Sequence, residues 1–263
     1  MAATPSPVHA KILQLRQEPK ISAQMNLLPL RVEAAMPSTF ESADLKHLVM
    51  THDRHYYAIK SLGDHPLLPA SEFLCYKLAA ACNLSVPFSS LIEVGPSELA
   101  FGSRFEGGLN EWKVLGPARQ FEAMQASCQP LSGILAFDLF VGNEDRHLNN
   151  FVWRKNVKDE WVPFAIDYSR AFLVRGFPSD EFPVSRSSNT RITLEALKRA
   201  QAWQAPYALF TLQQLQNVKR ENLEHWFDEM PTNWLSLERR NGILEWWDSP
   251  EFGNRLNAIF DLL

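Results

Sequence analysis

The chain has 263 residues, 46% of them hydrophobic and 21% charged, with a net charge of −4 and a pI near 6.0. That is enough material for a sizeable core in one large domain or two lobes. The acidic balance argues against the broad basic face of a nucleic-acid binder.

Three cysteines, Cys75, Cys82 and Cys128, have neither metal-ligand nor redox spacing, which fits a reducing compartment. Cys75 and Cys82 lie in an apolar stretch and read as small buried hydrophobes. No apolar run reaches the ~20 residues of a membrane span. The opening MAATPSPVHAKILQLRQEPK lacks the apolar centre of a secretory signal. These features predict a cytoplasmic protein without a membrane span.

In chain order, residues 1–25 are polar and proline-marked and read as a flexible lead-in. Strand signals begin at Leu28 to Val32. The segment PSTFES that follows has turn chemistry but no glycine. Apolar runs at His47 to Met50 and Tyr56 to Lys60 flank the turn THDR and predict a hairpin, with Lys60 closing its second strand. After the loop GDHPLLP, the spacing Phe73, Leu74, Lys77, Leu78, Ala81 predicts a helix with Ser71 as N-cap and Glu72 in its first turn. VPFSSLIEV and ELAFGSRFEGG read as two further strands.

The character changes near Gly107. GPARQFEAMQASC and the run to Gly142 look helical. A polar loop follows Phe172, and the remainder reads as helices punctuated by Pro206, Pro231 and Pro250. Most of the eight tryptophans fall at helical spacing late in the chain and read as core. The expected fold is α+β and bilobal. A β-rich N-lobe spans residues 26–106 and a mainly helical C-lobe spans 107–263.

The chemistry concentrates between these parts. The apolar run SGILAFDLFVG ends in NEDRHLNN, dense in hydrogen-bonding groups. Two β-like runs follow, Phe151 to Arg154 and Trp161 to Ile166, and a hairpin there returns Asp167 beside Asn150. An aspartate, an amide five residues on and a second aspartate across a hairpin suit metal-assisted phosphoryl transfer. Asp145 would orient a hydroxyl, while Asn150 and Asp167 would hold Mg²⁺ on nucleotide phosphates. Asn150 is preferred to Asn149 because its offset from Asp145 matches a kinase catalytic loop. His147 reads as a residue that packs and holds backbone shape, and Arg146 as the partner of a nearby carboxylate. Lys60, with Glu72 in the next helix, is a candidate phosphate-binding lysine positioned by a carboxylate. If PSTFES covers the nucleotide, Ser38, Thr39 and Ser42 become candidate autophosphorylation sites.

These residues resemble a known family. NEDRHLNN followed by AIDYSRAF is similar to the HipA-like kinases, whose loop reads N-x-D-x-H-x-x-N with a later metal-binding aspartate. The string D-R-H-x-x-N is also similar to the catalytic loop of phosphatidylinositol 3- and 4-kinases. YYAIK resembles the family's nucleotide-lysine strand, SEFLCYKLAAACNLSVP the helix after it, and AFGSRF a short motif near the lobe junction. The resemblance covers about residues 28–175.

It implies a bilobal protein-kinase-like fold and an ATP- and Mg²⁺-dependent kinase acting on serine or threonine of a protein, itself included, with an antitoxin-type protein as a possible partner. Lys60 would contact phosphates, with Glu72 as its partner. Asp145 would be the catalytic aspartate, and Asn150 and Asp167 the metal ligands. A lipid or small-molecule kinase and a nucleotide-binding pseudokinase are the alternatives. Two departures stand out: the phosphate-covering segment has no glycine, and Tyr168 and Ser169 follow Asp167 where protein kinases carry Phe-Gly. The length resembles a compact kinase core without the extra N-terminal domain of longer HipA toxins.

Overall fold

The computed structural model describes residues 28–36, 47–105, 110–177 and 184–263. The lead-in and the glycine-free PSTFES, with Ser38, Thr39 and Ser42, lie outside the described residues.

Five strands form a closed barrel in the order β1-β2-β3-β5-β4. They are β1 (Leu30–Met36), β2 (Leu48–Thr51), β3 (Tyr56–Lys60), β4 (Ser89–Gly95) and β5 (Glu98–Phe105). The predicted hairpin is β2–β3, with Val49 opposite Tyr57. Its turn is held by Asp53, which accepts from the Thr51 hydroxyl (2.5 Å), His55 N–H (3.1 Å) and the Tyr57 hydroxyl (3.0 Å). Alternation sends Leu30, Val49, Tyr57 and Ile92 into a small core inside the barrel. The ring closes where β1 meets β4 in parallel, so these strands leave no long open edge. β3 sits between β2 and β5, which brings Lys60 opposite Phe101.

Helix α1 (Leu68–Ala81) starts earlier than the sequence suggests. Leu67 is its N-cap residue and Pro69 sits in its first turn, where a missing N–H costs nothing. Ser71 is therefore inside the helix and caps nothing; its hydroxyl donates to Ala171 O at 2.8 Å. Glu72 moves from the first turn to the interior of the helix, and both side chains are buried.

Two helices follow the barrel, α2 (Pro117–Ala126) and α3 (Cys128–Phe140). Ten of the thirteen residues of α3 are buried, so it is the central rod of the molecule rather than a surface helix. A second sheet follows, in which β6 (Asn110–Glu111) pairs with β7 (Phe151–Lys155) and β7 with β8 (Trp161–Ala165). Five helices complete the chain: α4 (Asn189–Arg199), α5 (Ala205–Asn217), α6 (Arg220–Glu229), α7 (Leu237–Trp247) and α8 (Pro250–Phe260). The order is thus a β-rich N-terminal part and a helical C-terminal part.

The main core spans both. It includes Phe73, Leu74 and Leu78 of α1, Phe101 of β5, most of α3, and Trp226, Trp234 and Trp247. Phe73 meets Trp234 edge-on with ring centres 6.3 Å apart, and the Trp234 indole N–H donates to Leu99 O at 3.3 Å. Lys77 of α1 pairs with Glu229 at the end of α6. Cys75 and Cys82 are buried free thiols, as their surroundings predict.

Candidate active site

The site begins where α3 stops. Gly142 takes φ +65, a conformation glycine adopts without the Cβ penalty. Asn143 N–H donates to Asp138 O (2.8 Å) and Gly142 N–H to Leu139 O (3.3 Å), the paired bonds of a Schellman cap. Phe172 N–H takes Val141 O at 2.7 Å. The chain leaves the helix at a fixed angle, and the polar loop starts from a rigid end.

Beneath the loop lies a fully buried ion pair. Arg146 Nε donates to Asp138 Oδ2 (2.7 Å) and Nη2 to Oδ1 (3.1 Å), and Asn143 Nδ2 donates to the same Oδ1 (2.8 Å). Burial opposes the charge on Arg146, but the Asp138 carboxylate outweighs it and holds the guanidinium above its usual range. Removing one partner of such a pair typically costs about 3–5 kcal/mol, because the other is left buried and uncompensated.

The remaining guanidinium nitrogen joins two segments: Arg146 Nη1 donates to Asn150 O (2.6 Å) and to Ile166 O (2.5 Å). The carbonyls of residues flanking or carrying the predicted metal ligands are thus tied to one group. The guanidinium also lies 4.9 Å from the Tyr168 ring centre and 5.2 Å from that of Phe151.

The expected hairpin forms with Phe151 opposite Ala165, a register that carries on to Asn150 beside Ile166, one residue short of the expected Asp167, with Ile166 N–H donating to Asn150 O at 3.3 Å. Asn150 donates its amide to Asp145 O at 2.8 Å, which fixes the side chain's orientation; among the described residues no protein donor is found for its Oδ1. Asp167 lies two residues past the end of β8 with φ +60, a left-handed conformation that aspartate tolerates better than most residues. The turn after it presents Ser169, whose N–H donates to Asp167 Oδ1 at 3.1 Å.

Asp167 connects the two parts of the chain. The Lys60 ammonium, from the end of β3, reaches Asp167 Oδ1 at 3.5 Å. Burial pushes the Asp167 carboxyl up. The Lys60 charge, hydrogen bonds from Ser169 and the Arg146 charge outweigh it and hold Asp167 below the usual carboxylate range. Glu72 Oε1 accepts from Tyr168 N–H at 3.1 Å. It is fully buried, and burial pushes it up to about 8, with Lys60 pulling down and Asp167 pushing up. Lys60, Glu72 and the Asp167 segment therefore come together across more than ninety residues of sequence.

Asp145 faces partners the sequence did not reveal. Asn189 Nδ2 donates to Oδ1 at 2.5 Å, and Arg170 Nε lies 3.5 Å from Oδ2. Thr190 also meets this loop: its hydroxyl donates to Asn143 O (2.5 Å) and accepts from Arg146 N–H (3.0 Å). His147 offers its carbonyl to Asn150 N–H (2.9 Å). Its Nδ1 is buried and makes no hydrogen bond among the described residues, so the ring gains no support from that atom.

A model described as HipA-like kinase matches residues 45–249. The chain belongs to the HipA-like kinase family. Lys60, Glu72, Asp145, Asn150 and Asp167 all fall inside the matched range. No curated protein matches the chain significantly.

Two solved structures share the fold of this family member. One is the Helicobacter pylori proinflammatory kinase CtkA, 11% identical with a TM-score of 0.54, covering 82% of this chain and 93% of that one. The other is Shewanella oneidensis HipA, solved with HipB and operator DNA. It is 12% identical with a TM-score of 0.50, covering 98% of this chain and 71% of that one. At such identities the likeness is one of fold. Among the described residues no helix is long and apolar enough to cross a membrane.

Asp138, Arg170, Ser188, Asn189 and Thr190 contribute to the site without having been expected from the sequence. Asp138 carried a usable signal, since an aspartate inside an apolar helix needs a buried partner. Ser188 carried one too: it is the N-cap of α4, accepting from Arg191 N–H at 3.2 Å, and it sets the helix start that presents Asn189 and Thr190. Arg170 had no signal apart from its nearness to Asp167.

Proposed function

We propose that this HipA-like chain transfers the γ-phosphoryl group of ATP, with Mg²⁺, to a serine or threonine hydroxyl of a protein, its own chain included. The observation that carries this reading is the meeting of Lys60 and Asp167 across the two parts of the chain, beside a loop bearing Asp145 and Asn150. In this reading the β-rich part, residues 26–106, and the helical part, residues 107–263, act as the two lobes of a kinase with nucleotide between them. The cytoplasm is the expected compartment. An antitoxin-type protein partner belongs to the same proposal, supported by the HipA neighbour having been solved with HipB.

The donor set suits Mg²⁺. Among the described residues no cluster of three or more His, Cys, Asp or Glu is placed to hold a metal alone. Mg²⁺ typically uses one or two protein oxygens and completes its shell with substrate phosphates and water. Asp167, held ionised, and Asn150, with its amide nitrogen already committed, offer hard oxygens of that kind. When bound, the metal would supply charge neutralisation at the phosphates.

The chain's own residues do the rest. Lys60 binds phosphate oxygens and is held near them by Asp167, with Glu72 close behind. Asp145 accepts a hydrogen bond from the acceptor hydroxyl, aims it at the γ-phosphorus and takes its proton. Arg146 keeps the carbonyls of Asn150 and Ile166 at fixed separation, so the two ligand-bearing segments cannot drift apart. Catalysis of this type is positioning and electrostatics rather than covalent chemistry.

The test is transfer from labelled ATP with Mg²⁺, to generic protein acceptors and to the chain itself, comparing the wild type with Asp145→Ala and Asp167→Ala. Loss of transfer of about 10²-fold or more in both variants is expected. Transfer that survives both substitutions would refute the assignment. A second reading, a pseudokinase that holds nucleotide as a binding module, draws on the sequence PSTFES, which has none of the glycines that let backbone amides approach phosphates closely. Tight nucleotide binding with no transfer to any acceptor would favour it.

A further inference from the structure

We propose that Arg170 is a further catalytic cation of this site, the group that touches the phosphoryl while it is in transit; this rests on the phosphotransferase reading above. Arg170 follows Asp167 by three residues, in a turn closed by Ala171 N–H on Tyr168 O at 3.0 Å. Its backbone therefore belongs to the segment that carries the metal-binding carboxylate. Its guanidinium ends 3.5 Å from Asp145 Oδ2, the carboxylate that receives the acceptor proton. The arm spans the interval between the two aspartates. A phosphoryl group leaving a nucleotide held near Asp167 for a hydroxyl held by Asp145 has to cross that interval.

The two arginines of the site differ in kind. Arg146 is fully buried and committed to Asp138 and two carbonyls. Arg170 has a side chain 66% exposed, and its contact with Asp145 is single and long. An exposed ion pair of this sort contributes little to stability and is readily exchanged. Guanidinium matches phosphate oxygens two at a time, so a phosphoryl arriving beside Asp145 is the better partner. Asn189 meanwhile keeps Asp145 aimed through Oδ1 when Arg170 leaves Oδ2.

In the step, the acceptor oxygen forms a bond to the γ-phosphorus as the bond from that phosphorus to the β–γ bridging oxygen breaks. The hydroxyl proton passes to Asp145, and ADP departs with the electron pair. Arg170 exchanges no atom. It neutralises charge on the oxygens of the moving group, a contribution made only in the transition state.

The experiment uses the full chain, with Arg170→Ala, Arg170→Gln and Arg170→Lys beside the wild type and an Asp145→Ala control. Affinity for Mg·ADP is measured with and without aluminium fluoride, a mimic of the phosphoryl in transit, and turnover is measured with and without methylguanidinium. Arg170→Ala and Arg170→Gln are expected to bind Mg·ADP within about twofold of wild type, yet to lose about tenfold or more of the tightening that aluminium fluoride gives. Their kcat should fall about 10²–10³-fold. Methylguanidinium should restore part of it in Arg170→Ala and none in Arg170→Lys.

Two outcomes overturn the assignment of Arg170 alone: a wild type that tightens with aluminium fluoride while Arg170→Ala tightens equally, or a kcat within about threefold of wild type in both neutral variants. A wild type that neither tightens nor transfers would reject the phosphotransferase reading, and Arg170 with it. Where Arg170→Ala and the wild type differ in melting temperature, the comparison is read from Arg170→Gln, which keeps the aliphatic stem and a planar polar end but not the charge.

Discussion

At the scale of single residues the site is governed by who shares a buried charge. Asp167 and Glu72 stand near the same ammonium, yet their carboxyls move in opposite directions: Asp167 is lowered and Glu72 is raised to about 8. The difference lies in contact. Lys60 and Ser169 reach Asp167, whereas Glu72 has one backbone N–H and full burial. For Glu72 the raised value means that the folded chain holds its proton more tightly than the unfolded one. Its contribution to stability is then fully present below the ordinary carboxylate value of 4.5 and is lost as pH rises towards about 8. Asp167 works the other way, and its contribution is lost only as pH falls below the ordinary value of 3.8. With divalent metal removed by a chelator, denaturant unfolding of the wild type should lose stability steadily between pH 5 and 8, to the extent about set by this one carboxyl. In Glu72→Gln that slope should flatten, since the amide oxygen can still accept from Tyr168 N–H. An unchanged slope in the variant would assign the effect elsewhere.

At the scale of elements, the decisive device is the end of α3. A Schellman cap built on Gly142 hands the chain to Asn143, whose side chain bonds Asp138 behind it and accepts Asp145 N–H at 3.1 Å ahead of it. Gly142→Ala would place a Cβ at φ +65 and bring it to 3.4 Å from Arg255 Nη2. The expected loss is about 1–2 kcal/mol of stability, read as a lower denaturant midpoint, with a fall in kcat larger than any change in nucleotide affinity. A variant with wild-type midpoint and turnover would show that the cap does not set the loop.

This junction also marks how far the sequence could be read. The β7–β8 hairpin was legible because two short β-like runs flank a charged turn, but its register lies one residue from the expected pairing of Asn150 with Asp167. The five-residue offset from Asp145 to Asn150 was legible because it is local. What could not be read is contact between distant segments. Asn189 and Thr190 reach the loop from a helix whose start hides in the polar run SRSSNTR, where only the capping geometry of Ser188 distinguishes helix from loop. The start of helix α1 is hidden likewise, because Ser71 looks like a cap while Pro69 is the first-turn proline that marks the true start.

For the whole molecule, the question is whether the barrel and the helical part fold as one unit. The barrel's own core is small, four buried residues with Tyr57 the largest, while α1, lodged between the parts, gives most of its surface to the larger cluster. Trp234 bridges them, edge-on to Phe73 of α1 and bonded to Leu99 O of β5. A core shared in this way makes partial opening costly, because releasing either part exposes α1 to water. We therefore expect one cooperative transition, in which amides of β3 and of α3 exchange with hydrogen-deuterium opening energies near the global value. Trp234→Ala removes both the ring contact and the indole bond and should cost about 3–5 kcal/mol. The informative result is where that loss appears. If β3 and α3 amides lose protection together, the two parts are a single folding unit, and the separation of Lys60 from Asp167 is set by the core rather than by ligand. If only α3 amides respond, the barrel holds its own fold, and the Lys60–Asp167 contact becomes a hinge that nucleotide must close.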